Sequence, residues 1–323
     1  MSDHKTMALS GTGASLSLSR NKKIKQILKF KYIYLLILPG LLFLLIFKYL
    51  PMFGIIIAFK DYKPTMGIMG FFTAKWVGFK NFEILFNSIY FKEILTNTLV
   101  ISLYKLIFGL PVPIFLAILI NEVRQKWFKK TIQTVSYLPH FLSWVIVGGM
   151  MYELLSSTSG SINNIIKAYT GAPINFLTDP KIFRGVLVVS DIWKEMGWNS
   201  IIYLAALAGI NVEMYEAGII DGANRFQKLI YITIPSIMPT IVVVFTLALG
   251  RVLDAGFEQI FMLYSPQVYE VADIIDTYVY REGLVNARYG FATAVGLFKS
   301  VIALVLILSA NKLSQKMGQK GIL

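Results

Sequence analysis

Cysteine is missing from this chain altogether, and histidine occurs only at His4 and His140. The first absence removes disulfides, thiol catalysis, thiolate zinc sites and iron–sulfur ligation together. The second leaves a histidine-based metal cluster or a Ser-His-Asp site to be built around a single residue, thin material for an enzyme. Acidic residues are scarce too, 18 against 31 Lys and Arg in 323 residues, for a formal net charge of +13. Charged residues make up only 15% of the chain and hydrophobic residues 56%, with a mean hydropathy of +0.63. That balance is too apolar for an ordinary soluble domain and indicates a membrane protein. The positive excess suits either nucleic acid or an anionic leaflet, and the placement of the charges separates the two.

Apolar runs of roughly the ~20 residues a bilayer needs begin at Tyr32 and recur near 96–120, 133–155, 184–209, 231–254 and 290–310. The spacing predicts six transmembrane helices in an all-α fold, since a membrane barrel would show ~10-residue alternating segments instead. The first run, Tyr32 to Leu50, is too long for a signal-peptide core and reads as an uncleaved span. The run at 184–209 is the most interrupted, by Asp191, Lys194 and Glu195, and polar residues so placed usually face a protein interior or a cavity. With both termini on the cytoplasmic side, the basic residues divide 16 inside to 8 outside, as the positive-inside rule demands. The charge is thus mainly topogenic, and nucleic acid loses its motive. The simplest partition is a basic cytoplasmic tail over 1–31, one membrane domain over 32–311 and a short cytoplasmic tail over 312–323. The outer segments 51–95 and 256–286 are expected to form short amphipathic elements on the outer face.

The cytoplasmic loop 211–235 carries the clearest local pattern. Asn211 suits an N-cap, Glu213 and Glu216 suit the first turns of a helix, and Gly222 suits its stop. Ala217 and Gly218 leave one patch without bulk, open to close approach by another protein, and Pro235 suits the start of the fifth span or a kink in it. A helix–turn–helix on the cytoplasmic face is the expectation. The spacing also resembles the EAA loop of permease subunits of bacterial ABC importers: Glu-Ala-Ala, three residues, Gly, nine residues, Ile-x-Leu-Pro. Here it falls on Glu216-Ala217-Gly218, Gly222, Ile232 and Ile234-Pro235, with Gly for the second Ala and Ile for Leu, and Asp221-Gly222-Ala223 matches the Asp-Gly-Ala of the sugar-importer branch.

The resemblance extends to the segments Lys48 to Phe59, Trp76 to Phe82, Tyr137 to Trp144, Trp198 to Ala206 and Ala294 to Ser300, which look like those of the LplB- and YteP-like oligosaccharide permeases in the MalF/MalG-type superfamily. It implies the type I ABC importer permease fold, a multi-pass protein of the bacterial cytoplasmic (inner) membrane and a carbohydrate cargo. It further implies a second, non-identical permease subunit, two ATP-binding cassette ATPase subunits and an extracytoplasmic solute-binding protein. By this resemblance the loop would dock in a groove of the ATPase. No phosphate-cradling G-x-x-x-x-G-K-[ST] occurs, so this chain is read as a transport subunit rather than an enzyme, with no cofactor of its own; ATP and Mg would bind the partner ATPases.

A sugar path needs aromatic walls and a few polar groups. Asp191, Trp193, Lys194, Glu195, Trp198, Asn199 and Tyr203 in the fourth span offer this mixture, and Trp144 in the third joins them as a candidate. The competing reading makes the tryptophans membrane-interface residues and gives Lys194 a neighbouring carboxylate. Arg251, Asp254 and Glu258 are expected on one helix face, either lining a cavity or pairing internally. Lys105 and Lys299 sit within apolar runs and need a carboxylate, a wet path or an interface; on an acidic oligosaccharide, Arg251 and Lys299 would attract the cargo. His140 reads as a helix-start residue. An ion-coupled secondary carrier is the alternative, supported by Asp191, Glu195 and Asp254 but without a reason for the EAA spacing.

Overall fold

The apolar runs form helices in the computed structural model, which describes residues 29–316. Residues 1–28 and 317–323, and with them His4 and most of both expected tails, lie outside the described residues. The chain divides after Ile55 into two compact units, the first containing most of α1 (Lys31–Phe59) and the second the remaining elements. The long elements of the second unit are α3 (Phe91–Glu122), α7 (Pro180–Ala208), α9 (Arg225–Gly250) and α13 (Tyr289–Lys316). Shorter helices lie between them: α2 (Lys80–Phe86), α4 (Lys126–Tyr137), α5 (Trp144–Leu155), α6 (Ser161–Thr170), α8 (Val212–Ile220), α10 (Phe257–Leu263), α11 (Tyr269–Ala272) and α12 (Ile275–Tyr280). Among the described residues no β-strand forms; Lys60 and Trp76 make one isolated antiparallel bridge.

Among the described residues, four helices are long and apolar enough to cross a membrane: α1, α3, α9 and residues 289–309 of α13. Only 11–22% of their most apolar windows is buried within the chain, so their apolar side chains face outward, as lipid or a partner helix requires and water does not permit. The expected straight third span at 133–155 is instead two helices, α4 and α5, bent by 102°. Pro139 removes a backbone donor at the end of α4, Leu142 and Ser143 are extended, and the Ser143 hydroxyl then accepts the Ile146 N–H to start α5 afresh. At twelve residues each, neither piece alone exceeds about 18 Å. The helix at 180–208 is continuous, begun by Asp179 as N-cap and Pro180 at its first position, but Asp191, Lys194 and Glu195 keep it out of the apolar class.

The segment 256–286 departs most from expectation. Rather than lying on the outer surface, it fills the interior: Ile260, Leu263, Val268, Ala272 and Ile274 pack fully buried against Ile101 of α3 and Phe183 and Leu187 of α7. Ile275 and Tyr278 join Leu85, Ile94, Phe291 and Val295 in a second cluster, and a third forms where Ala117, Tyr203, Leu207 and Ile237 meet. Short helices leave orphan carbonyls, and here two side chains take them up. The Asn97 amide donates to the carbonyls of Tyr269, Glu270 and Asp273, and Arg184 donates to the Val271 carbonyl and to Asn97 Oδ1. Elsewhere, Gly197 lets α7 run against the backbone of α4, where an added Cβ would collide with the Ser136 carbonyl. Gly197→Ala should therefore abolish accumulation of folded protein, whereas Gly149→Ala, with open space around it, should leave it unchanged; fluorescence-detected size-exclusion chromatography of the two variants checks this.

Candidate functional site

Local chemistry builds the loop 211–235 almost as the sequence dictates. Asn211 caps α8, its side chain accepting the Glu213 N–H at 3.0 Å. The other end closes with both hydrogen bonds of a Schellman turn, Gly222 N–H to the Ile219 carbonyl (3.0 Å) and Ala223 N–H to the Gly218 carbonyl (2.8 Å). That turn needs a left-handed residue, and Gly222 sits at φ +75°. Asn224 and Gln227 form a reciprocal capping box that starts α9 two residues later. The Tyr215 hydroxyl bonds the Thr233 hydroxyl at 2.9 Å and ties α8 to α9. Gly218 has a different role from the one expected of it. A Cβ there would stand 3.0 Å from Ile232 Cδ1, so its smallness serves packing of α8 on its own chain. Glu216, Ala217, Asp221 and Gly222 are exposed, and so are the apolar Val212, Ile219, Ile220 and Phe226. Pro235 stands near the start of the regular part of α9, with Ile232 partly buried beneath α8.

The far end of α9 reaches a cavity of about 590 Å³ between α3, α7 and the 251–256 turn. Asp191, Glu195, Asn199 and Tyr203 line it, each four residues from the last, so they form one stripe along α7. Lys105, Arg251 and Asp254 complete its polar wall. Lys105, its side chain 12% exposed, contacts Asp191 at 3.1 Å and donates to Gln259 Oε1. Gln259 is fully buried and its amide donates to the Leu187 carbonyl and to Ser190 Oγ, both at 2.7 Å. Glu195 receives Lys194 Nζ at 3.0 Å and lies 2.7 Å from His140 Nδ1.

Helical phase sorts the remaining candidates. Trp193 is two residues from Asp191 and so turns to the other side of α7, into a separate apolar cavity of about 460 Å³ with α5 and α6. Trp198 falls off the stripe and stacks on the His140 ring at 4.5 Å; His140 belongs to the turn ending α4, while Ser143 is the actual helix start. Trp144 lies under the Lys194 ammonium at 5.5 Å. None of the three tryptophans lines the polar cavity. Arg251, Asp254 and Glu258 do not share a helix face, because α9 stops at Gly250 and the chain turns through Ala255 (φ 33°) and Gly256 (φ 89°). Asp254 pairs with Lys299 at 3.1 Å rather than with Arg251, and Lys299 also holds Asp276 at 2.7 Å. Burial raises the Asp276 carboxyl above its ordinary range, and hydrogen bonds from Lys299 oppose that rise. Lys299 is therefore engaged outside the cavity wall. Gln259, Asn97, Arg184 and Asp276 escaped the sequence reading; the available signal was their polarity within largely apolar surroundings. Lys105→Met alone leaves Asp191 without its cation and should cost about 3 kcal/mol, a loss that Asp191→Leu in the same chain largely restores, read as thermal stability of the purified protein.

Residues 109–319 match the family model for the binding-protein-dependent transport system inner membrane component. Protein LplB of Bacillus subtilis (strain 168) is 47% identical over 292 residues, covering 90% of this chain and 91% of that protein. The polygalacturonan/rhamnogalacturonan transport system permease protein YteP of the same organism is 45% identical over 303 residues, covering 94% of each. Among solved structures, a chain of a bacterial alginate ABC transporter in complex with alginate pentasaccharide-bound periplasmic protein superposes with a TM-score of 0.85 at 44% identity, over 92% of this chain and 99% of that one. By family match, relatives and fold together, this chain belongs to the binding-protein-dependent transport system inner membrane components, the permeases of ABC importers.

Proposed function

We propose that this chain is the membrane permease subunit of an ATP-driven importer of acidic, polysaccharide-derived oligosaccharides, driven through α8 by separate ATPase subunits. The observation that carries the reading is mechanical. One helix, α9, begins at the capped turn of the 211–235 loop and ends 26 residues later at the polar cavity, a reach of about 39 Å. A push on α8, coupled to α9 through Tyr215–Thr233 and the Gly218–Ile232 contact, is thereby delivered to the cavity wall. The exposed Val212, Ile219, Ile220 and Phe226, with Glu216 and Asp221 beside them, offer the apolar-centred, polar-rimmed surface that suits a protein groove. Cargo passes along the stripe Glu195, Asn199 and Tyr203, between Arg251 and Asp254. The cargo class follows the relatives named for polygalacturonan and alginate.

Six membrane crossings complete the proposal: α1, α3, the bent α4–α5 pair, α7, α9 and α13. They form one membrane domain over 32–311, with both tails in the cytoplasm of a bacterial cell. α7 crosses despite its charges because Asp191, Lys194 and Glu195 each have a partner inside the protein. A second, unlike permease, two ATPases carrying ATP and Mg, and an extracytoplasmic binding protein make up the assembly; this chain needs no cofactor and performs no covalent chemistry. The pairing of Asp191, Glu195 and Asp254 with lysines favours this reading over an ion-coupled carrier, which needs a carboxylate free to load its ion. In proteoliposomes holding the full complex, Gly222→Asp and Glu216→Lys should cut ATP-dependent oligosaccharide uptake and substrate-stimulated ATPase activity roughly tenfold or more, as loss of an interface hot spot does, with membrane insertion intact. Normal transport by both variants would overturn the coupling role of α8.

A further inference from the structure

The polar cavity is lined by two cations and three carboxylates, and they differ in what they already hold. Lys105 is engaged by Asp191 and Gln259. Glu195 has Lys194 on one oxygen and His140 on the other. Asp254 accepts from Lys299. Arg251 stands apart: its side chain is exposed and, among the described residues, makes no ion pair or hydrogen bond. Its backbone N–H closes the last turn of α9 on the Ala248 carbonyl at 3.0 Å, which fixes the start of the side chain at a helix C-terminus, the end where a cation is favoured. Each carboxylate on the wall thus has a lysine partner, Asp254 sharing Lys299 with Asp276, while the Arg251 guanidinium has none among the described residues.

We infer that Arg251 is the carboxylate-selecting residue of the cavity, pairing through its guanidinium fork with the uronate group of a passing sugar unit, while Lys105, Lys194 and Lys299 hold the helices together and take no part in selection. A guanidinium presents two parallel donors that match a planar carboxylate, and it stays charged at any physiological pH. A single unpaired cation also suits transit, since it attracts one acidic unit without trapping a chain at several fixed sites. The apolar Leu247 and Ala248, one turn back on α9, supply the wall against which a ring face can slide. This inference rests on the reading of the cavity as the cargo path and deepens it, replacing the expectation that Lys299 shares the role.

The test is ATP-dependent uptake into proteoliposomes holding the complete complex and its binding protein, with alginate pentasaccharide and a neutral arabino-oligosaccharide as the two probes. Comparison of wild type with Arg251→Gln and Arg251→Lys should show pentasaccharide uptake falling roughly tenfold in the Gln variant, the size expected when a charged hydrogen-bond donor is lost, with much of it restored by Lys. High salt should slow the wild type and the Lys variant while leaving the Gln variant insensitive, a difference that a merely structural arginine does not produce. Wild-type uptake of pentasaccharide by Arg251→Gln, or a wild type that carries the neutral probe alone, overturns the inference while the importer reading stands. Failure of the wild type to move either probe on ATP overturns both.

Discussion

An ammonium group in the middle of an apolar helix has to find acceptors on other helices, and much of this architecture follows from how Lys105 finds them. Asp191 supplies the charge and Gln259 the carbonyl oxygen, and Gln259 in turn spends its amide on the Leu187 carbonyl and Ser190. Three segments distant in sequence are thereby fixed at one point, where a hydrophobic contact alone would tolerate sliding. Gly256 has to be glycine for the same reason, since it adopts φ 89° and any Cβ there would run into the Lys105 ammonium. The turn that this permits ends α9 and carries Arg251 and Asp254 to the edge of the cavity.

The interior is apolar as in a soluble helical protein, but the outer faces of the long helices are apolar too. The long apolar helices bury little of themselves within the chain, while much of the mixed segment 256–286 is buried. Lipid removes the pressure to hide apolar helices, so what has to be buried is the irregular backbone between them, whose polar groups have no partners in hydrocarbon. Asn97 and Arg184 meet that need for α11, and the Asp273 carboxylate is held by Thr277 and Arg281. The same rule explains why the α4–α5 bend is tolerated: its two extended residues are short, and the helix that follows is capped at once by Ser143.

The two functional regions follow different logics. The 211–235 turn is held by local caps, Asn211 at one helix start, the Gly222 turn at its end and the Asn224–Gln227 box at the next start, each closed within a few residues. The cavity is instead assembled from helices that meet only in the folded chain, with paired charges holding its shape and a free guanidinium facing its space. The capped turn and the polar cavity lie at opposite ends of α9, which joins them.

Features that depend on near neighbours were legible in the chain. Hydropathy laid out the long apolar helices, and Asn211 and Gly222 defined the capped turn, because caps and turns are satisfied within about six residues. Along α7, the helical period already placed Glu195, Asn199 and Tyr203 on one stripe with Asp191, and applied strictly it would also have set Trp193 aside. Pairings across long stretches of chain came from the fold: Lys105 with Asp191 and Gln259, Lys299 with Asp254 and Asp276, His140 with Glu195 and Trp198. The 102° bend and the burial of 256–286 belong with them. A charge in an apolar run announces that it must have a partner, but the choice among distant candidates is made by packing, and packing has no local trace in the chain.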